Sequence, residues 1–463
     1  MTSQTIGSAA APSPAETVDR LKAAFRAGRT RPVEWRETQL RGLLRFLDER
    51  EGEIAEALAR DLGRSAFEAW FGDIAPPRNE AAHALKHLRR WMRPRRRPVP
   101  LAQQPARARI QYEPLGVALV VAPWNYPVNL ALGPMVAAFA AGNAVVLKPS
   151  EIAPGTSRLL AEVLPTYLDP EAFGVVEGDG PTTQHLISLG VDHVFFTGGT
   201  EVGRKIMEAA AKTLTPVILE LGGKSPVIVA EDADLDVTAR RIAWVKLMNS
   251  GQTCIAPDYV LVHESVKDDL VARLSAVVTE FTSAEGPKRI VNRRQFDRLA
   301  GYLGQTRGSI VLGGETDADE LTIAPTIVVD PDPSEPVMTE EIFGPILPIV
   351  SYRDVDEAME FVNGRPAPLG LYVFTRDTDL ADRIVDSVPA GGAVVNHCAI
   401  HYLMPELPFG GVGDSGIGAY HGEAGFQALS HLKSVAVKGF AVDPRIVYPP
   451  YGRVAQAVMR RLF

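Results

Sequence analysis

The 463-residue chain reads as an α/β protein built from two lobes. Three observations carry that reading. The chain is too long for one ordinary compact core. Its composition is globular, 46% hydrophobic and 22% charged, which supplies enough apolar material for more than one core. Short apolar runs alternate with helical stretches in two successive series, the pattern of βαβ units and parallel sheets.

The first segment, MTSQTIGSAAAPSPAE, has no basic stretch followed by an apolar core. It is expected to be a short disordered leader and not a secretory signal. From Leu21 to Phe25 and from Leu40 to Leu58, apolar residues recur at three- and four-residue spacing with charges between them, which predicts amphipathic helices. The basic run KHLRRWMRPRRRP, Lys86 to Pro98, invites a nucleic-acid or targeting reading. It stands alone in a chain of net charge -8 and has no aromatic ladder to stack bases. A solvated helix end followed by a proline-rich connector is expected, and no nucleic-acid partner.

The first alternating series runs GVALVVA, Leu130 to Ala141, AVVLKP, Thr156 to Leu168, FGVVEG, a helix near Thr183, HVFFTG, Glu201 to Lys212 and PVILEL. Within it, Val128 to Leu147 carries no charge and has the length of a membrane span. Asn129, Pro134, Gly142 and Asn143 interrupt it, and the break AGN divides it into a buried helix and a buried strand. No transmembrane anchor is expected. The second series runs YVLVH, Val266 to Phe281, ILPIVSY, LYVFT, Leu380 to Val388 and GGAVVN. FGGVGDSGIG, near the end, is glycine-rich enough to read as a loop. The two cysteines, Cys254 and Cys398, exclude a disulfide framework and fit a reducing, cytoplasmic setting.

Chemistry-bearing candidates lie at the joints of these series. NSGQTCIA puts Cys254 in a small, polar, flexible context, although a buried inert cysteine has the same local look. LELGGKSP puts Glu220 at the end of an apolar strand, as a general base or as a salt-bridged structural carboxylate. GGTEVG, Gly198 to Gly203, follows a strand and opens a helix, a turn that suits phosphate and equally suits a plain cap by Thr200. Lys148 and Glu151 in VVLKPSE have the chemistry for ribose hydroxyls. Asn125 in VAPWNYP, stiffened by Pro123 and Pro127, offers an amide donor fit for an oxyanion hole or simply a rigid turn. TEEIFGPILP carries Glu341 and Phe343, with its two adjacent carboxylates at a helix start. No metal site is expected. Asp232, Asp234 and Asp236 open like a calcium loop, but Val237 stands where glycine belongs and Ala243 where the bidentate glutamate belongs. His397, Cys398 and His401 lack a second ligand cluster.

Taken in order, Asn125, KPSE, FTG-GTEVG, ELGGK, GQTC, EEIFGP and PFGGVGDSG resemble the aldehyde dehydrogenase superfamily from about residue 20 to residue 435. NSGQTCIAPDYV, PFGGVGDSGIGAYHG with Tyr420 and His421, and the tail VYPPY are most similar to its class 3 branch, which includes fatty- and aromatic-aldehyde dehydrogenases. The resemblance implies two Rossmann-like α/β lobes plus a β-rich oligomerisation arm. The NAD(P)-binding domain would span 15–90 and 114–219, the catalytic domain 220–402, and the bridging segments 91–113 and 403–463, with a β-hairpin near 91–113. It implies that Cys254 is the nucleophile, Glu220 the base that activates water, and Asn125 with the Cys254 N–H the oxyanion site. It implies NAD or NADP held by Trp124, Lys148, Ser150, Glu151, Gly198, Gly199, Thr200, Gly203, Leu221, Glu341 and Phe343. An aldehyde pocket would be built from Tyr126, Thr253, Ile255, Phe409 and His421, and the assembly would be a homodimer. Gly199 departs from the family pattern, in which an oxygen-bearing side chain often reaches a phosphate.

Two rival readings remain. A CoA-acylating enzyme would share the cysteine thioester, but a hydrolytic base such as Glu220 would work against it. A non-enzymatic use of the fold would have no need of Cys254, Glu220, Asn125, Lys148 and Glu341 together.

Overall fold

The computed structural model describes residues 12–286 and 288–462. Residues 1–11 of the expected leader lie outside the described residues. The rest of that segment is structured, because Ser13 and Glu16 form a capping box. The Glu16 N–H donates to the Ser13 hydroxyl at 3.3 Å and the Ser13 N–H donates to the Glu16 carboxylate at 2.8 Å, starting the helix Pro14–Arg26. The single helical stretch expected over Leu40 to Leu58 is two helices, Val33–Glu49 and Glu51–Leu62. They divide at Arg50, whose φ of -114° and ψ of 16° leave the helical region.

The first sheet has six strands in the order Gly416–Ile417, Val217–Glu220, His193–Thr197, Val117–Val121, Ala144–Lys148 and Phe173–Val175. All pairings are parallel except the outer one with Gly416–Ile417. Its inner strands are buried on both faces, as their unbroken apolar runs require. The helix Asn129–Ala141 is buried along its whole length and packs on the helices Val33–Glu49 and Ala75–Trp91. Its uniformly apolar sequence is thus explained by burial on every side. Among the described residues no helix is long and apolar enough to cross a membrane.

The second sheet has seven strands in the order Ser309–Leu312, Thr326–Val329, Ile346–Tyr352, Tyr259–His263, Pro226–Val229, Gly370–Phe374 and Gly392–Val395. Only Ser309–Leu312 runs antiparallel. A third, antiparallel sheet joins Arg95–Arg97, Ala106–Pro114 and Ser430–Lys438, so part of the basic run is strand and not connector.

Two local expectations are corrected. FGGVGDSGIG is not all loop, since Gly416 pairs with Glu220 and Ile417 with Leu219. Gly416 has φ of +153°, and a Cβ there would run into the Leu219 carbonyl, so glycine is what lets this segment close on the sheet edge. Glu340 and Glu341 do not open a helix. They follow the short helix Pro336–Thr339, which starts on Pro336, the residue whose fixed φ suits a first turn.

Candidate active site

The first sheet winds outward in both directions from the pair Val117–Val121 and His193–Thr197. At such a switch point the connections leave toward opposite faces and open a crevice beyond the carboxyl ends of the strands. The candidate residues gather there. Trp124 and Asn125 follow Val117–Val121, Lys148 ends Ala144–Lys148, Gly198 and Gly199 follow His193–Thr197, and Glu220 ends Val217–Glu220. The loops that precede two strands of the second sheet complete the crevice. Cys254 precedes Tyr259–His263, and Glu341 and Phe343 precede Ile346–Tyr352.

The loop that carries Cys254 is wound tightly. Asn249, Ser250 and Gly251 take left-handed backbone in succession, with φ of 50°, 54° and 70°. Two of the three are not glycine, so the turn is held by its contacts. The Asn249 amide donates to the carbonyls of Asn125 and Gln252, both at 3.0 Å. The Asn125 amide donates to the Gln252 carbonyl at 3.1 Å. The Tyr126 and Thr253 hydroxyls meet at 2.9 Å, and the Tyr372 hydroxyl donates to the Ile255 carbonyl at 2.6 Å.

Cys254 is half-buried and lines two cavities. One is apolar, lined by Phe71, Tyr126, Trp244, Thr253, Ile255 and Tyr402 among others. Phe409 and His421 do not line it. They stack on each other at 5.5 Å behind Tyr402, and His421 faces a smaller cavity of mixed lining beside Glu80 and Asn129. The other cavity, about 350 Å³, is walled by Trp124, Asn125, Gly198, Glu220, Leu221 and Glu341 among others. Trp124 and Phe343 meet edge to face there at 5.4 Å.

That second cavity fits a dinucleotide. Both Glu220 oxygens and one Glu341 oxygen are buried without a partner. A Cβ on Gly222 would overlap the Glu341 carboxyl, so the strand-to-strand turn leaves room for it only as glycine. Lys148, buried, holds Glu151 at 2.6 Å, while the Ser150 hydroxyl accepts from the Ile152 N–H at 3.3 Å. The helix Thr200–Ala211 opens toward this space with Gly199 as its N-cap and no side-chain cap. Thr200 is therefore not the cap. Its hydroxyl donates to the Asp414 carbonyl at 3.1 Å. The uncapped N–H groups remain available to an anion. Gly203 packs against Leu221, and a Cβ there would meet the leucine side chain at 2.7 Å.

Burial governs the electrostatics. It pushes the Cys254 thiol up to about 12, with the Glu341 and Glu220 carboxylates adding to the shift. It raises Glu220 well above the usual carboxylate range, and lifts Glu341 to about 7 with help from Asp258. The thiol and Glu220 thus both favour their protonated forms in this crevice.

The chain matches the family model described as aldehyde dehydrogenase family over residues 2–435. It belongs to the aldehyde dehydrogenase family. It is 46% identical to human aldehyde dehydrogenase family 3 member B1, across 94% of each chain, and 45% identical to an aldehyde dehydrogenase of Craterostigma plantagineum, across 94% of this chain and 92% of that one. Among solved structures, the substrate-bound state of Staphylococcus aureus AldH superposes with a TM-score of 0.94 at 39% identity, covering 98% of this chain and 100% of that one. An NAD-dependent aldehyde dehydrogenase from Sinorhizobium meliloti superposes with a TM-score of 0.85 at 29% identity, covering 93% and 88%. The chain is accordingly an oxidoreductase that oxidises aldehydes with NAD or NADP.

Several residues of this aldehyde dehydrogenase's site escape sequence reasoning. Phe71 and Trp244 wall the apolar cavity from a helical turn and a helix whose apolar spacing reads as ordinary core. Arg298 ties down the Glu341 loop, donating to the Glu341 carbonyl at 3.0 Å and the Ile342 carbonyl at 2.7 Å. One arginine of three in an amphipathic helix carries no local signal for that. His397, Cys398 and His401 do not converge as ligands, because Cys398 is buried in the core of the second lobe. Among the described residues, His83, His87 and Glu406 do bring three ligand-type atoms within 4.8 Å of one another, at the surface, with both histidine rings near Trp91.

Proposed function

We propose that this aldehyde dehydrogenase oxidises apolar aliphatic or aromatic aldehydes to carboxylic acids through a thiohemiacetal and then a thioester on Cys254. The carrying observation is that Cys254 lines both cavities, an apolar one for the aldehyde and one that fits the dinucleotide.

Lys148 and Glu151 would hold the adenosine ribose, with Ser150 beside them. The turn Gly198 to Gly203, Thr200 included, would face the pyrophosphate, and Glu341 the nicotinamide ribose. Trp124, Leu221 and Phe343 would pack alongside. When bound, NAD or NADP supplies the hydride acceptor.

The chain's own groups do the rest. The Cys254 sulfur adds to the aldehyde carbon as its proton is lost to bulk water, and the Glu220 oxygens, which have no other partner, are kept for the hydrolytic step. The amide of Asn125 carries two N–H donors. One is spent on the Gln252 carbonyl, which orients the group, and the other is left for the oxyanion with the Cys254 N–H. After the thioester forms, Glu220 takes a proton from water as it attacks, releasing the acid. Tyr126, Thr253 and Ile255 shape the pocket, with Phe409 and His421 supporting it from behind Tyr402. We read the assembly as a cytoplasmic homodimer, supported by two free thiols and by the exposed Leu432 and Val437 on the outer strand Ser430–Lys438.

The test is the appearance of reduced nicotinamide with an aromatic or medium-chain aldehyde and NAD or NADP, in the parent and in Cys254→Ala. Signal without CoA that the variant loses supports the reading. A strict need for CoA overturns the role of Glu220, and an active variant overturns that of Cys254. Light scattering reports the dimer.

A further inference from the structure

Behind the loops that carry Asn125 and Asn249 lies a buried cation that the reaction does not use directly. Arg64 occupies the short link between two helices. Gly63, left-handed with φ of 69°, ends Glu51–Leu62, and a capping box from Ser65 to Glu68 begins Ala66–Ala69. The link turns the Arg64 side chain inward, where it is 4% exposed. Its guanidinium pairs with Asp73, itself fully buried, and also donates to the Asn125 carbonyl. Its Nε donates to the Asn249 side-chain oxygen at 3.3 Å. Its face lies 4.3 Å from the centre of the Tyr126 ring.

Asn125 and Tyr126 lie on one of the two loops that meet at the reacting atoms and Asn249 lies on the other, while Asp73 stands in the helical turn Trp70–Ile74. Asp73 accepts from the N–H groups of Val128 and Asn129 at 2.9 and 3.0 Å, anchoring the far end of the Asn125 loop. Asn249 is left-handed and in turn holds the carbonyls of Asn125 and Gln252. The guanidinium thus ties both loops to Asp73, beside three direct bonds between them: the Asn249 amide to the Asn125 carbonyl, the Asn125 amide to the Gln252 carbonyl, and the Tyr126–Thr253 hydroxyl pair. As a stabilising device such a buried ion pair is poor, since its desolvation offsets most of its attraction. As a means of fixing two loops at one separation, a rigid planar fork is well suited, and a lysine's single point is not.

We infer that Arg64 is a positioning residue, which sets the Asn125 amide against the Cys254 sulfur by clamping the Asn125 carbonyl and the Asn249 side chain to Asp73. The inference rests on the reading of Cys254 as nucleophile and Asn125 as oxyanion donor. Its effect falls on the first half of the reaction, when negative charge builds on the aldehyde oxygen.

The experiment is first-turnover kinetics of reduced nicotinamide formation in Arg64→Gly and Arg64→Lys, with Cys254→Ala beside them. Arg64 lines a cavity of about 440 Å³ together with Gly72, Tyr126 and Asn249, so free guanidinium has a route to the vacated place. The expected result is a first-turnover rate about 100-fold lower in Arg64→Gly, the size of an oxyanion-donor loss, with dinucleotide affinity unchanged. Arg64→Lys should lie between it and the parent. Added guanidinium, but not urea of the same shape, should restore part of the rate. A parent-like first turnover in Arg64→Gly, or a loss that guanidinium leaves untouched or urea repairs equally, overturns the inference. Activity in Cys254→Ala would instead overturn the reading beneath it. If Arg64→Gly fails to fold, Asp73→Asn with Arg64 intact serves instead. It loosens the clamp's anchor and is expected to slow the first turnover with dinucleotide affinity kept, whereas a parent-like rate there overturns the inference too.

Discussion

The side-chain amide of Asn125 donates to the backbone carbonyl of Gln252 at 3.1 Å, two residues before Cys254. The group expected to bind the oxyanion is thereby tied to the loop that carries the sulfur. Asn125→Ala should lower kcat by roughly 100- to 1,000-fold through loss of the donor. Its stability cost should be small, about 1 kcal/mol, because the Gln252 carbonyl keeps its bond from Asn249 at 3.0 Å. Steady-state kinetics with a parallel thermal melt separates the two effects.

Glu220 is buried with neither oxygen partnered, and burial raises it well above the usual carboxylate range. A base must lose its proton to act, so the rate of thioester hydrolysis should climb with pH along a limb displaced far to the alkaline side of an ordinary glutamate. Glu220→Gln should still release one equivalent of reduced nicotinamide per site and then stall. Rapid-mixing kinetics over a pH series would show the burst without turnover. Parent-like steady turnover in the variant would overturn the assignment.

Glu341 gives a stability prediction with a definite sign. Burial lifts its carboxyl from 4.5 to about 7. Between those values the folded chain keeps a proton that the unfolded chain has released. Stability is therefore lost as pH rises through this window. Glu341→Gln removes that loss. In the absence of dinucleotide its Tm should exceed the parent's near about pH 8, by the equivalent of at most about 3 kcal/mol, and the two should converge toward about pH 5. Calorimetry at both pH values checks it.

A Cβ on Gly199 would meet nothing within 4 Å, although the residue caps the helix Thr200–Ala211. Gly199→Ser should therefore fold unchanged, gain a few tenths of a kcal/mol as a better cap, and bind NAD more tightly through its hydroxyl. Equilibrium titration of intrinsic tryptophan fluorescence reads the affinity.

Glu151 holds Lys148 at 2.6 Å, with its own side chain about half exposed. Glu151→Gln removes a negative charge from the expected ribose site and frees the lysine ammonium. The kcat/KM ratio of NADP to NAD should rise, and should rise most at low salt, where screening of the partly exposed charge is weakest. A ratio unchanged at every salt concentration would place the 2′-hydroxyl elsewhere.

Some of this protein could be read from its residues alone. Strand–helix alternation predicted an α/β architecture because a sheet buried on both faces needs unbroken apolar strands. YVLVH and ILPIVSY fall on strands whose bounds match those runs, Tyr259–His263 and Ile346–Tyr352. Cys254, Glu220 and Asn125 stood out because each sits at a joint between elements, where short glycine- or proline-bearing loops mark functional backbone. Composition and periodicity could not do this for Thr200 or for Phe409 and His421. Whether a hydroxyl caps its own helix or bonds a loop 214 residues away depends on where that loop lies. Likewise, whether an aromatic faces a cavity or stands one layer behind Tyr402 depends on packing.

Only the tertiary structure decided the rest. Phe71 and Trp244 look like core from their spacing, and become cavity wall because two elements far apart in sequence meet beside Cys254. Arg64 looks like a surface residue in a polar link, and becomes the centre of a buried network because the chain brings Asp73, Asn125 and Asn249 around it. The physical reason is common to both. Local sequence sets backbone conformation and the side of an element that seeks burial, whereas the neighbours of a buried polar or aromatic group are supplied by distant segments, and only their packing gives that group its partners, its dielectric and its role.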